Sequence, residues 1–247
     1  GGTAMDIADA ELAQLTTGDL ELLSAGKITV NGVTAGNTGT ISGTTTLSST
    51  GEIEFSTAAS VFDNALSVSS DDLVDIDQDV SSATGNLSIN GDADTDSDSN
   101  DQITIATGVT LAAGGSLSLD ADSAVTGIVA AGTVTLNANS GVSINDVMTS
   151  GGTLTVDADL DNGSGGTFTV ASGKSVTVTG GFDITADNVD LAGTLSGTTA
   201  STITDSDNTG VGLGAATVVG GLELSGAELE NITVGATGLT IATGGNI

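Results

Sequence analysis

Short runs of alternating character recur along nearly the whole chain: GKITVNG at 26–32, DQITIAT at 101–107, GTVTLNA at 132–138, KSVTVTG at 174–180 and GLTIATG at 238–244. In each, apolar side chains stand two residues apart, which places them on one face of a pleated strand and the Thr, Ser and Asp between them on the other. Gly, Asn and Asp fill the gaps, and Asn31-Gly32, Asn90-Gly91 and Asn162-Gly163 supply residues that accept the positive φ of a tight turn. The run centres repeat every ~6 to 12 residues, the spacing of a short strand plus its turn. The chain therefore reads as all-β. Near the start, Ile7, Leu12, Leu15, Leu20 and Leu23 fit a loose helical stripe. This predicts a short helix over 6–15, within an entry or capping segment at 1–24, although the alternation at Leu20 and Leu22 fits a strand equally well.

Two architectures can use such strands. Tandem immunoglobulin-like sandwiches commonly centre on buried aromatic residues, and this chain offers only Phe55, Phe62, Phe168 and Phe182, with no Trp or Tyr. A parallel β-solenoid instead fills a thin interior with small and branched side chains stacked coil upon coil. Local self-similarity favours the solenoid: TGVTLAAGGSLSLDA from Thr107, AGTVTLNANSGVSIND from Ala131 and GGTFTVASGKSVTVTGG from Gly165 each repeat strand, short turn, strand. The expectation is a parallel β-helix of roughly ten coils, each of about 20 to 25 residues, over 25–247. An acidic insertion at about 90–101 and an irregular loop at about 197–214 interrupt it.

Composition then limits the partners. The 32 acidic residues face only Lys27 and Lys174, for a formal charge of −30. That excludes nucleic acid and anionic membrane surfaces, because no basic cluster exists to neutralise phosphates. Intrinsic disorder is excluded too, since 38% of residues are hydrophobic and they are gathered into the alternating runs. There is no apolar run long enough to insert in a membrane and no cysteine for a disulfide. GGTAMDIADAEL lacks a signal-peptide plan and GLTIATGGNI breaks off just after a strand, so the sequence reads as a fragment of a longer chain.

LLSAGKITVNG at Leu22 to Gly32, LAAGGSLSLDADS at Leu111 to Ser123, FTVASGKSVTVTGG at Phe168 to Gly181 and GLTIATGGN near the end together resemble the repeat region of filamentous-haemagglutinin-type exoproteins and related bacterial autotransporter adhesins. The resemblance implies a right-handed parallel β-helix in a cell-surface or secreted filament, with adhesion carried by loops or by other domains. It brings no catalytic residues to carry over, and the chain is more acidic than that pattern.

The residues themselves argue against an enzyme. With no His, Cys, Tyr or Arg, acid–base and nucleophilic chemistry would rest on carboxylates alone. Paired carboxylates can hydrolyse glycosides, but aromatic platforms for sugars are missing.

Metal binding is better served. Asp92, Asp94, Asp96, Asp98, Asn100 and Asp101 crowd one short stretch with the oxygen ligands that Ca²⁺ prefers. The stretch is not a helix-loop-helix calcium site: counting from Asp92, Ser97 takes the place of the turn glycine and Ile103 that of the closing glutamate. A bound Ca²⁺ and a solvated acidic turn both remain open there. Asp75, Asp77 and Asp79 read as an outward face, and Asp157, Asp159 and Asp161, like Asp205 and Asp207, as acidic turns. The Thr-x-Thr pairs are too irregular in offset for a flat ladder and reflect β-propensity.

These observations predict a structural segment of a large extracellular bacterial surface adhesin or filament, giving reach, durability and contact, with Ca²⁺ as a candidate stiffener. Its partners would be neighbouring repeats or copies of itself, stacked end to end, with cell-surface glycans a further candidate. The alternatives are a subunit of a self-assembling extracellular filament, sheath or surface layer, and a glycan-binding module.

Overall fold

The computed structural model describes residues 7–94, 100–121, 127–163 and 165–243. The chain winds into a parallel β-solenoid with three long sheets of eight, nine and eight strands. A regular coil takes one strand from each, for example Leu66–Ser70 in the first sheet, Leu73–Ile76 in the second and Val80–Ser82 in the third, before Leu87–Asn90 returns to the first. All the strand pairings within these sheets are parallel, so each strand lies on the equivalent strand of the coil before it. The nine strands of the second sheet span roughly 40 Å at the usual ~4.8 Å strand spacing.

The alternation read from the sequence sets which side chains turn inward. Strand after strand alternates buried and half-buried, as in Thr45–Ser49, Leu66–Ser70 and Val134–Ala138. Inward residues then stack in columns: Leu66, Leu87 and Leu117 adjoin in register in the first sheet, and Ile53, Val74, Ile103, Ile128 and Met148 in the second. One continuous hydrophobic cluster runs through the solenoid. Three of the four phenylalanines, Phe55, Phe168 and Phe182, are fully buried in it. Phe182 has its space because its neighbour is Gly197, where a Cβ would come 3.2 Å from the phenylalanine ring.

Coil length varies through the turns, not the strands. Register partners stand as little as 19 residues apart, as Val176 and Leu195 do, and as much as 38, as Ile203 and Ile241 do. The corner from first to second sheet carries the acidic excursion 91–101 after Asn90. The corner from third back to first sheet carries 158–166, and the longest excursion, 206–231, leaves the third sheet after Ser201–Asp205. The irregular stretch expected at about 197–214 therefore starts later, because Ser201–Asp205 alternates cleanly and stays in the third sheet. Within the excursion Val211–Leu213 pairs with Leu222–Leu224 in a two-stranded parallel sheet. The chain then passes through the helix Gly226–Glu230 and rejoins the second and third sheets as Ile232–Val234 and Leu239–Thr243.

At the other end the helix is shorter than the sequence stripe, Asp9–Leu12, and Leu20–Ser24 is already a strand of the first sheet. The first coil has a second helix, Ala35–Thr38, where later coils approach their third strand. Thr34 N–H, Thr34 Oγ1 and Asn37 Nδ2 all donate to the Asp9 carboxylate, at 2.8, 3.0 and 2.7 Å, and so tie this end together.

Candidate functional site

With the interior closed by apolar columns, chemistry is left to the corners and the outer faces, and there the charged groups are unevenly provided for. Three acidic groupings can be followed from residues to geometry.

The first lies on the outer face of the second sheet. Glu54 and Asp75 are register partners, and their carboxylate oxygens come together with that of Glu52 within 4.8 Å of one another. Stacked like charges at this separation repel, and the chain supplies its own counter-charge: Lys27 Nζ sits 3.1 Å from Glu52 and 3.0 Å from Glu54. The Glu54 hydrogen bond leads the effects that raise the Lys27 pKa above its ordinary value.

The second grouping is the corner from first to second sheet. Asp146 is wholly buried there, and Lys174 Nζ, one coil on, meets its Oδ1 at 2.6 Å. The predicted metal loop leaves the same corner two coils earlier. Its base is pinned by backbone bonds, Gly91 N–H to the Asp120 carbonyl at 3.0 Å and Ala93 N–H to that of Ser70 at 2.8 Å. Asp92 and Asp101 are buried at the two feet of the loop, while Asp94 and Asn100 are exposed. Asp96 and Asp98 lie outside the described residues. The structure thus brings two of the six predicted ligands into the body of the solenoid and leaves two of the others at the surface.

The third grouping lies where the chain leaves the third sheet: the sequence reads Asp159 and Asp205 as parts of separate acidic turns and does not single out Asp187. The fold stacks them. The strands Leu154–Asp157, Phe182–Ala186 and Ser201–Asp205 lie one above the next. Asp159, Asp187 and Asp205, with Asp207 beyond, therefore leave the third sheet at one corner on three successive coils. Ser206 Oγ donates to Asp159 Oδ2 at 2.6 Å, tying together residues that follow the strands Ser201–Asp205 and Leu154–Asp157. The Gly165 N–H donates to Asp187 Oδ2 at 3.1 Å, and the Gly210 N–H to Asp205 Oδ2 at 2.9 Å. Each of these carboxylates is thus fixed through one oxygen. The other oxygen, Oδ1 in all three, is buried and has no hydrogen-bond partner.

Burial raises the pKa of Asp159 above its ordinary value, and the carboxylates of Asp207, Asp161 and Asp187 push it further. Burial also raises that of Asp187, with Asp207 and Asp205 adding to it, and that of Asp157 beneath them. The loop that covers Asp159 closes tightly. A Cβ on Gly166 would fall 2.3 Å from the Asp159 Cβ, so only glycine fits there.

The open N-terminal end forms a cavity of about 650 Å³, lined by Leu12, Leu20, Leu22, Ile28, Val30 and Leu47 among others. It continues the hydrophobic interior. Among the described residues no helix is long and apolar enough to cross a membrane. Comparison with protein-family models, curated proteins and solved structures gives no match to this chain.

Proposed function

We propose that this chain is a structural rod: a β-solenoid segment of a large extracellular bacterial surface adhesin or filament, whose work is reach, durability and contact. The observation that carries the reading is the unbroken three-sheet parallel ladder over one continuous apolar interior. Every coil hydrogen-bonds to the next along the axis, so strand edges are exposed only at the ends and load along the rod is shared by many backbone bonds. The outer surface supports it as well. A net charge of −30 keeps elongated particles apart in solution and discourages sideways aggregation. Only two lysines and no arginine leave trypsin-like proteases almost nothing to cut, even in a locally opened chain.

The test is antibody labelling of intact cells of the source organism, paired with electron microscopy of the purified chain. Surface labelling without permeabilisation, and short rods that resist trypsin, are the expected results. Labelling that appears only after permeabilisation overturns the extracellular reading, and compact particles with no long axis overturn the rod.

A further inference from the structure

We propose that the stretch 206–221 is a built-in end cap: its strand Val211–Leu213 occupies the place of a following coil's first strand and so keeps a second copy of this chain from adding its own first coil there. The inference goes beyond the rod reading and does not depend on where the rod works.

The first and last described coils are built alike. Leu20-Glu21-Leu22 and Ile28-Thr29-Val30 of the first recur as Leu222-Glu223-Leu224 and Ile232-Thr233-Val234 of the last. The recurrence extends to position. Ile28–Val30 and Ile232–Val234 are the two outermost strands of the second sheet. Leu20–Ser24 opens the first sheet, and Leu222–Leu224 packs against Asn188–Leu191, the strand that ends it.

In the second sheet the two edges are complementary. Toward the coil that follows, Ile28 N–H donates to the Glu52 carbonyl at 2.9 Å, and the Val30 carbonyl accepts from Ser56 N–H at 3.0 Å. Leu195 N–H and the Gly197 carbonyl bond forward in the same way, to Asn231 and Gly235. By that alternation Ile232 and Val234 aim their N–H and C=O groups at the next coil position, and Thr29 aims its own back at the preceding one. Such edges accept a further parallel strand. Ile28 and Ile232 are also only half-buried, whereas their register partners Ile53 and Leu195 are fully enclosed.

The first sheet does not offer its edge. Along it an inward N–H donates to the following coil, as Leu20 does to the Thr44 carbonyl and Leu117 to that of Gly141. Leu222 N–H donates in the same sense to the Gly210 carbonyl at 3.1 Å, and the Leu224 carbonyl accepts from Gly214 N–H at 2.8 Å. Glu223 N–H points the other way, to Asn188 Oδ1 at 3.3 Å. Val211–Leu213 therefore stands on Leu222–Leu224 as a following coil would, although it comes earlier in the sequence. It also packs against Leu239–Thr243 of the third sheet, across the end of the interior. Gly210 N–H to Asp205 Oδ2 at 2.9 Å and Val218 N–H to Glu223 Oε1 at 2.7 Å hold the stretch down. For its Ile28–Val30 to lie on Ile232–Val234, a second copy would have to put Leu20–Ser24 where Val211–Leu213 already is. The short turn 25–27 gives those two strands no freedom to dock separately.

The experiment is sedimentation velocity over a range of concentration, with electron microscopy of the same samples, at 1 M salt, where a Debye length of ~3 Å screens one acidic rod from another. Two uncapped variants are compared with the wild type. In one, Asn-Ala replaces 207–221, leaving after Ser206 a three-residue corner like that at 63–65 between Ser60–Phe62 and Leu66–Ser70. In the other, Gly212→Pro takes the N–H from the middle of the cap strand and crowds the Ala216 carbonyl, which lies 2.8 Å from where a Cβ would stand. The wild type should remain a single rod of one chain. The uncapped variants should join end to end, raising the mean mass about twofold or more and giving rods at whole multiples of the wild-type length. Adding Thr29→Pro, which blunts the receiving edge and spares the forward bonds of Ile28 and Val30, should return them to single rods. A wild type that itself forms rod multiples overturns the cap. So do folded uncapped variants that stay single, and so does association that Thr29→Pro leaves intact. If the deletion variant loses its β-type circular dichroism, Gly212→Pro decides between these outcomes.

Discussion

The corner holding Asp146 and the corner holding Asp159, Asp187 and Asp205 pose the same physical problem and answer it differently. In both, a strand end carries a carboxylate below the surface, where an ionised group without a partner is costly. At the first, Lys174 reaches back one coil and places its ammonium 2.6 Å from Asp146. At the second, three carboxylates share one corner with hydroxyl and amide donors but no basic side chain, and their remaining oxygens are bare. A solenoid repeats its backbone but not its corners, so local charge balance has to be settled turn by turn. In a chain with two lysines, a lysine supplies that balance at some turns and not at others.

The largest effect expected from breaking the comparison is at the first corner. Lys174→Met should leave Asp146 buried beside an apolar chain and cost about 2 to 3 kcal/mol in chemical denaturation, below the value for a fully enclosed pair because the lysine is partly exposed. Adding Asp146→Asn to that variant should recover much of the loss. If Lys174→Met is neutral, the internal counter-ion is not what holds that corner.

Acidity separates the two corners next. The raised pKa values of Asp157, Asp159 and Asp187 mean that their protonated forms favour the fold. That stability is fully present below the ordinary carboxylate value of 3.8 and is lost as pH rises through the raised folded values. The wild type should therefore lose stability faster than Asp159→Asn as pH rises above 3.8, with a difference in slope on the order of 1 kcal/mol per pH unit while the group titrates. The difference curve matters more than the raw one, since the whole acidic surface also gains charge over this range. Parallel curves for the two proteins would show that Asp159 ionises as freely in the fold as outside it.

How much of this was legible in the sequence follows from the kind of order involved. Strand alternation is local, so ITV at 28–30, LTVD at 154–157 and ITI at 103–105 reveal their buried faces without any knowledge of neighbours. Which strand lies on which is not local, because register depends on turn lengths that differ from coil to coil. Asp187 therefore escaped notice: it is a single acid between Ala186 and Asn188, and its companions Asp159 and Asp205 are 28 and 18 residues away. The usable signal was the strand ending itself. Val156-Asp157-Ala158-Asp159, Ile184-Thr185-Ala186-Asp187 and Ile203-Thr204-Asp205-Ser206-Asp207 each place an aspartate shortly after the last inward branched residue. The dense cluster at 92–101 drew attention by composition, whereas the stacked corner is dispersed along the chain and assembled only by parallel pairing.

A smaller contrast sets Asp9 against Asp159. Burial pushes the Asp9 carboxyl up, but the donors on Thr34 and Asn37 outweigh it and hold its pKa below the ordinary value. The sign is the reverse of that at the acidic corner: the stability Asp9 contributes is present above pH 3.8 and is lost as pH falls through its depressed folded value. Asp9→Ala should cost about 1 kcal/mol, and hydrogen exchange should place the loss at the first coil and the helix Ala35–Thr38. Protection lost evenly along the rod would mean that this end is not an independent cap.

The smallest effect should come from Lys27. It neutralises Glu52 and Glu54 as Lys174 does Asp146, but its side chain is 43% exposed and water screens the pair. Lys27→Gln should cost about 0.5 kcal/mol or less at low salt, and nothing measurable at 1 M salt, where the Debye length is ~3 Å. The Lys174→Met loss should persist under the same salt, because a buried carboxylate is poorly reached by mobile ions. If both losses vanish together in salt, burial is not what separates the two lysines, and the Asp146 corner belongs with the solvated faces.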